Sequence, residues 1–465
     1  MATVKADASV EAREAELRKD LGVTDLTLTQ ILFIVGLPWV GVAAKQGPSH
    51  VIFWLLAIVF FYLPSAAVVI HLNRAMPLEG GLYQWAKLGF SEMTGFLVAW
   101  NLWLFAILNS SETGLQITQY SQYVFGHAAD AYSSNPLIVT GVNVVILTAL
   151  AIVTIRGLSV GKWVHASGGA LMLTTFAMIL ILPWLNLAHG TLREFHPLAT
   201  AVPAVSILSL NIAAKMGFGA LGGFEYVAIH AGECRDADRA IARSVWVAAP
   251  IICIMFIFGT SSVLGLVPFD QIDLIAPIPQ VLAAGFRPLG SVAWVAPVTI
   301  VMLLCIRLAQ ASVMFTGITR LPMVAGWDGL LPAWFTRLHP RFRTPMNSVV
   351  FIAATTLTFS ILGLIGVGKQ EAFQLLWNAS GIFYALTYLV MFAIPIVGSV
   401  GAPAWLKMVS LSGFITTLGY VVLSILPIID VGSRLSFALK ISVVIVIANV
   451  IGYIIFKLRG DRPRV

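Results

Sequence analysis

Read for hydropathy alone, the chain is a succession of apolar runs separated by short polar loops. The runs fall near 27–45, 50–74, 94–121, 136–156, 162–186 and 204–230, then near 244–267, 291–320, 348–367, 371–398, 405–428 and 435–457. A bilayer-crossing helix needs about 20 consecutive apolar residues. Each run is of that order, so the pattern predicts an all-α polytopic membrane protein with 12 transmembrane helices.

Composition sharpens this reading. The chain has 465 residues, 58% hydrophobic and 11% charged. A soluble domain carries roughly 25% charged residues, so this chain cannot coat a water-facing surface. A soluble enzyme and a nucleic-acid binder are excluded, despite a net charge of +7. Twelve helices consume roughly 240 residues and leave short loops. The cysteines, Cys234, Cys253 and Cys305, show neither metal nor disulfide spacing. The polar first 25 residues carry both charge signs, so no cleavable signal is expected; Val10–Leu21 reads as a short surface helix or a solvated tail.

Orientation follows from the basic residues. An even number of spans places both termini on one side. Of the 28 Lys and Arg residues, Lys45, Arg193, Arg287, Lys369 and Arg434 fall in loops on the other side. Lys440 lies just inside the last span, Lys215 and Arg307 lie within spans, and the remaining twenty share the side of the termini. Because cytoplasmic loops carry the excess of Lys and Arg, both termini are expected in the cytoplasm and the protein in the plasma membrane. The basic balance reports topology and contact with anionic lipid.

Two spans are interrupted. The first contains Gly36-Leu37-Pro38-Trp39-Val40-Gly41, and the sixth contains Gly217-Phe218-Gly219-Ala220-Leu221-Gly222-Gly223. Glycine lets a backbone leave helical geometry and proline removes a donor. Such a break must face protein or a watery cavity. Close helix packing through small residues is the plainer explanation for either span alone. Two breaks five spans apart are what an inverted repeat of five plus five helices predicts. There, free N–H groups and half-helix dipoles suit a carboxylate and free carbonyls an ammonium, so Val35, Gly36, Leu37, Pro38, Trp39, Gly217, Phe218, Gly219, Ala220, Gly222 and Phe224 are the candidate substrate contacts.

Three further segments carry a resemblance. Pro77–Trp85 (PLEGGLYQW) resembles the P-x-x-G-G-x-Y-x-W segment of the amino acid–polyamine–organocation transporter superfamily. Gly223-Phe224-Glu225, through Gly232-Glu233 to Arg243, resembles that superfamily's sixth span and the loop after it. Arg320–Pro332 (RLPMVAGWDGLLP), with His339 and Thr344-Pro345, resembles its loop after span 8. Gly47-Pro48-Ser49 followed by Phe53-Trp54 is similar to the glutamate/GABA antiporter-like branch. The resemblance implies a LeuT-type fold: residues 27–398 form a ten-helix inverted-repeat core, 1–26 a cytoplasmic tail, and 399–465 helices 11 and 12 with a second tail. It implies secondary transport of amino acids or related amines by alternating access, as a permease or antiporter. A polyamine or other organic-amine exchanger of the same fold is the alternative.

The chain departs from the family pattern in places. Pro38 stands where many members have the second glycine of G-S-G-I-F. No lysine occupies the middle of span 5, where Ala170–Leu173 is apolar. Asp236-Ala237 replaces an Asn-Pro, and Gly326-Trp327-Asp328-Gly329 replaces Ala-Arg-Asp-Gly.

Charges within spans cost roughly 2.5–3.5 kcal/mol on insertion scales, so Glu112, Lys215, Glu225 and Arg307 each need a reason. They either pair off as buried ion pairs or handle substrate and protons. A buried carboxylate can carry a proton, with Glu112 the first candidate for proton coupling. Arginine stays charged and serves as a carboxylate ligand or a fixed cation. Trp39, Phe218, Phe224, Tyr226 and Trp377 are candidate gates, with packing as the competing role. His165 and His230 read as satisfied histidines, and Asn211, Ser312 and Thr316 as generic polar residues. The expected partners are a small-molecule substrate and membrane lipid, with no cofactor, metal or nucleic acid. A membrane enzyme would need a constellation such as H-E-x-x-H or G-x-S-x-G, and a channel a filter sequence; neither is found.

Overall fold

The computed structural model describes residues 17, 19–111, 113–126, 135–274, 276–292, 294–363, 369–398, 400–428 and 431–458. They are almost entirely helical. In chain order the main helices are α1 (Val23–Ile34), α2 (Trp39–Ala44), α3 (Gly47–Ala75), α4 (Leu82–Gly89), α5 (Glu92–Ser111), α6 (Thr113–Phe125), α7 (Pro136–Arg156) and α8 (Leu158–Ala188). There follow α9 (Ile207–Ala214), α10 (Ala237–Leu266), α11 (Pro277–Phe286), α12 (Val295–Ile318), α13 (Arg320–Trp327), α14 (Met346–Gly363), α15 (Lys369–Val397), α16 (Ala404–Leu423) and α17 (Arg434–Leu458).

Among the described residues, ten helices are long and apolar enough to cross a membrane. Two expected spans are shorter. The first is divided into α1 and α2, and the ninth has an apolar stretch of Met346–Ile361. The breaks fall within the expected spans 1 and 6. In the first, α1 stops at Ile34 and α2 begins at Trp39. In the sixth, α9 widens into a π-turn at Lys215–Gly219 and gives way, beyond Gly222 and Gly223, to a 3-10 segment, Phe224–Glu233.

The two interrupted spans are enclosed by α5, α8, α10, α12 and α15. Close approach is made possible by glycine: a Cβ on Gly168 of α8 would stand 2.3 Å from the Ala309 Cβ of α12, and one on Gly169 would stand 2.7 Å from the Leu28 carbonyl oxygen. Polar pairs tie the helices where lipid offers no hydrogen bonds. Gln30 donates to Ser244 Oγ at 3.1 Å, Asn143 to Ser360 Oγ at 2.5 Å, and Asn101 to Asn449 Oδ1 at 2.7 Å. The outermost helix, α17, exposes Leu439, Val443, Val446 and Val450, the apolar face expected against acyl chains.

Candidate functional site

The first break is a local rearrangement of hydrogen bonds. The Gly36 N–H donates to the Ile34 carbonyl at 2.8 Å, and the Trp39 N–H to the Gly36 carbonyl at 3.2 Å. In an unbroken helix those donors would have served Leu32 and Val35. Both orphaned carbonyls accept from the side-chain amide of Gln310 in α12, at 2.9 Å and 3.0 Å. Arg307 Nη1, one turn earlier, donates to Gln310 Oε1 at 2.7 Å. Two of the carbonyls freed by this break are therefore already held by α12.

At the second break two N–H groups find partners. The Gly222 N–H reaches the Phe218 carbonyl at 2.9 Å, and the Gly223 N–H reaches the Tyr388 hydroxyl oxygen at 2.7 Å. Gly223 has φ +140°, which disfavours a side chain, and a Cβ there would lie 2.7 Å from Ile34 Cγ1. The two breaks thus lie directly against each other.

Between them is a cavity of about 90 Å³. Of the residues expected at the site, Gly36, Trp39, Phe218, Gly219, Gly222, Arg307 and Trp377 line it. The Trp39 indole sits between the breaks: a Cβ on Gly36 would be 2.5 Å from it and one on Gly219 2.6 Å. Trp39 and Trp377 approach with ring centroids 5.4 Å apart. Val35 contributes through its carbonyl to Gln310. Leu37, Pro38, Gly217, Ala220 and Phe224 are not on the wall; Gly217 faces Thr416, and the Phe224 ring stacks on Tyr62 at 4.6 Å.

Several wall residues carried no sequence signal of their own. Phe105 and Asn109 come from α5, Gln310 from α12, Ser380, Gly381 and Tyr384 from α15, and Tyr420 from α16. Helical spacing from an expected residue finds some of them. Gln310 is three residues after Arg307, and Gly381 four after Trp377, on shared faces.

Of the intramembrane charges, Arg307 lines this cavity, and Lys215 and Glu225 contact the wall residues Tyr420 and Tyr384. Lys215 is buried, donates to Asn378 Oδ1 at 3.0 Å and Ser424 Oγ at 3.3 Å, and lies 5.7 Å from the centre of the Tyr420 ring. The Glu225 carboxylate accepts from the hydroxyls of Tyr384 and Tyr388. Lys215 and Glu225 are thus held by neutral groups, from α15 and, for Lys215, also from Ser424 at the end of α16, and do not pair with each other. Glu112 lies outside the described residues. Tyr226 donates to the Met314 carbonyl at 2.5 Å and stacks on Phe33. His165 is within 3.2 Å of Ser312 Oγ, Thr316 within 3.2 Å of Thr154, and Asn211 donates to the Leu426 carbonyl.

The three sequence segments that carry the resemblance meet at one end of the bundle, away from the cavity. Glu79 Oε2 accepts from the Gly232 N–H at 2.8 Å, and the Gly80 N–H donates to the Ile229 carbonyl at 2.9 Å. A Cβ on Gly81, at φ +44°, would be 2.7 Å from the Ala228 backbone. Arg320 Nε donates to Glu233 Oε1 at 2.9 Å, with His230 Nδ1 3.4 Å from the same oxygen. Asp328 accepts from Tyr83 and, at 2.5 Å, from Lys87. The N-terminal segment closes over this end. The Leu21 N–H donates to the Glu233 carbonyl at 3.1 Å, the Arg235 N–H to the Leu21 carbonyl at 3.2 Å, and Lys19 reaches the Gly232 carbonyl. Glu79, His230 and Glu233 have the spacing of a metal site. Arg320 and the Gly232 N–H take their carboxylates, however, so the cluster is an ion-pair network, hereafter the latch.

Comparison with known proteins agrees with this architecture. The branched-chain amino acid permease of Bacillus subtilis is 23% identical over 394 residues, 78% of this chain and 80% of that protein. The methylthioribose transporter of the same organism is 23% identical over 387 residues, covering 79% and 82%. MhsT, whose crystal structure is known in complex with L-phenylalanine, superimposes with a TM-score of 0.60 at 16% identity, covering 86% of this chain and 97% of that one. The fold is therefore of the LeuT type, and the chain is a multi-pass membrane transporter rather than an enzyme. Residues 21–455 match the amino acid permease family, and with nearly the whole chain so matched, the protein belongs to that family.

Proposed function

We propose that the protein carries amino acids across the plasma membrane by alternating access, binding them in the cavity between the two helix breaks. The observation that supports this reading most is the cavity itself. Both breaks open onto it, and aromatic rings from Trp39, Trp377, Phe218 and Tyr384 surround it. Arg307 on its wall gives it a permanent positive charge suited to a carboxylate. The relatives' substrates, branched-chain amino acids and methylthioribose, and the phenylalanine bound by MhsT, favour a small polar molecule with an apolar portion.

In this reading both termini are cytoplasmic, in keeping with the distribution of Lys and Arg, and the latch is the inner gate. The same reading gives Trp39 and Trp377, whose rings lie 5.4 Å apart on the cavity wall, the role of the opposite gate. Counterflow in proteoliposomes tests the proposal: vesicles loaded with one unlabelled amino acid should transiently accumulate the labelled form. No counterflow with any of the twenty amino acids, in vesicles where the protein is shown to be folded and inserted, would overturn it.

A further inference from the structure

The sixth span, Ile207–Glu233, carries a buried charge in each half. At the latch end, Glu233 is matched by Arg320. Lys215, in the opposite half, has no such match. It is 1% exposed, and its partners among the described residues are Asn378 Oδ1, Ser424 Oγ and the face of the Tyr420 ring, all neutral. Two acceptors serve an ammonium that has three N–H groups to donate. A charge in a span without a counter-charge is costly.

The neighbours are under-served as well. Asn378 gives its carbonyl oxygen to Lys215, and its buried Nδ2 finds no partner among the described residues. Asn211, one turn before Lys215, gives its amide to the Leu426 carbonyl, and its buried Oδ1 finds none. Buried polar groups in folded proteins are normally paired, so this cluster is one that hydration would improve. It also borders the cavity. Tyr420, Trp377, which precedes Asn378, and Phe218, whose ring lies 4.7 Å from that of Tyr420, all line the wall. Lys215 reaches from span 6 to α15 and to Ser424, just past the end of α16. These helices cannot part at this end without freeing it, and once freed it meets water.

We propose that Lys215 is a positioning residue for transport: a buried cation short of full solvation, whose hydration favours opening of the cavity on the side opposite the termini. This rests on the alternating-access reading above. The paired charge at the latch favours closure at its end, and the unpaired charge favours opening at the other.

Accessibility of the cavity from that side tests the proposal. Ala311→Cys, a wall position on α12, is the reporter in a chain whose Cys234, Cys253 and Cys305 are replaced by serine. A small membrane-impermeant methanethiosulfonate is applied from the side opposite the termini. Lys215→Met keeps an unbranched side chain and removes the charge; it should slow labelling at least about tenfold. Asn378→Leu and Ser424→Ala keep the ammonium and remove its acceptors, so each should quicken labelling. A residue that only clamps or packs would make all three variants move the rate the same way, and that result would overturn the proposal. An unchanged rate in Lys215→Met would overturn it too, and so would a Lys215→Met chain that fails to fold, since the charge would then be structural. Labelling needs no substrate. Failure here leaves a positive counterflow result standing, and a lack of counterflow leaves this comparison of rates valid.

Discussion

Gln310 donates its side-chain amide to the Val35 carbonyl at 3.0 Å, in the place left by the Trp39 N–H, which has turned to Gly36. The same nitrogen serves Leu32 at 2.9 Å. One neutral side chain of α12 thus caps the negative end of the α1 half-helix. Arg307 orients it from the same helix face.

That arrangement predicts the effect of Gln310→Ala. Two buried carbonyls lose their donor, and an unsatisfied buried group costs about 1–3 kcal/mol. The melting temperature in detergent should fall while the protein remains monodisperse. An unchanged melting temperature would mean that water replaces the amide at no cost.

It also predicts that transport needs no sodium. A cation at this helix end would have to displace the amide of Gln310. Uptake by wild-type proteoliposomes should be equal in sodium and in potassium media. Stimulation by sodium would defeat this reading.

Two roles compete for Arg307: recognition of a substrate carboxylate, and the orientation of Gln310. If orientation dominates, Arg307→Ala should impair transport of neutral and acidic substrates alike, and its stability loss should not add to that of Gln310→Ala. A defect confined to acidic substrates would assign the residue to carboxylate recognition.

Gly219 tests the site itself. A side chain there must enter the space of the Trp39 indole, 2.6 Å from the new Cβ. Gly219→Leu should abolish substrate binding in a folded, inserted protein. Gly419→Ala, which meets nothing within 4 Å, is the matched control and should bind normally. Wild-type affinity in Gly219→Leu would remove the sixth span from the site.

The sequence shows where the helices break because glycine and proline act locally. Gly36, Pro38, Gly222 and Gly223 fall at the interruptions, and hydropathy outlines most spans. Partnership is not local. Spacing from Arg307 puts Gln310 on the same face of α12, but nothing in the string shows that it caps α1, 275 positions away in sequence at Val35. Likewise Tyr384 and Tyr388 read as ordinary span aromatics, yet both hydroxyls hold Glu225. Ion pairing among the intramembrane charges is one of the two expected roles, and the fold instead gives Lys215 and Glu225 each its own neutral partners. The segments that carry the family resemblance are legible as motifs but not as one assembly. Only the fold brings Glu79, Glu233 and Arg320 together.

That assembly makes the last prediction. Arg320 is 2% exposed, and removing one partner of such a buried pair costs about 3–5 kcal/mol because the other charge stays buried. Glu233 escapes this cost if the latch opens and water reaches it, so Arg320→Gln should shift the protein toward the state open at that end. Cys234 reports the change. It neighbours Glu233, is 3% exposed, and lies under the strap formed by Leu21. In a background with Cys253 and Cys305 replaced by serine, a membrane-impermeant maleimide should label Cys234 slowly in the otherwise wild-type protein. In Arg320→Gln labelling should be at least about tenfold faster, the response to a shift of about 1.4 kcal/mol. Reagent applied from the side of the termini should react and reagent from the opposite side should not. Equal rates with and without Arg320 would show that the ion pair holds structure without gating, and labelling from the opposite side would invert the orientation proposed for the latch.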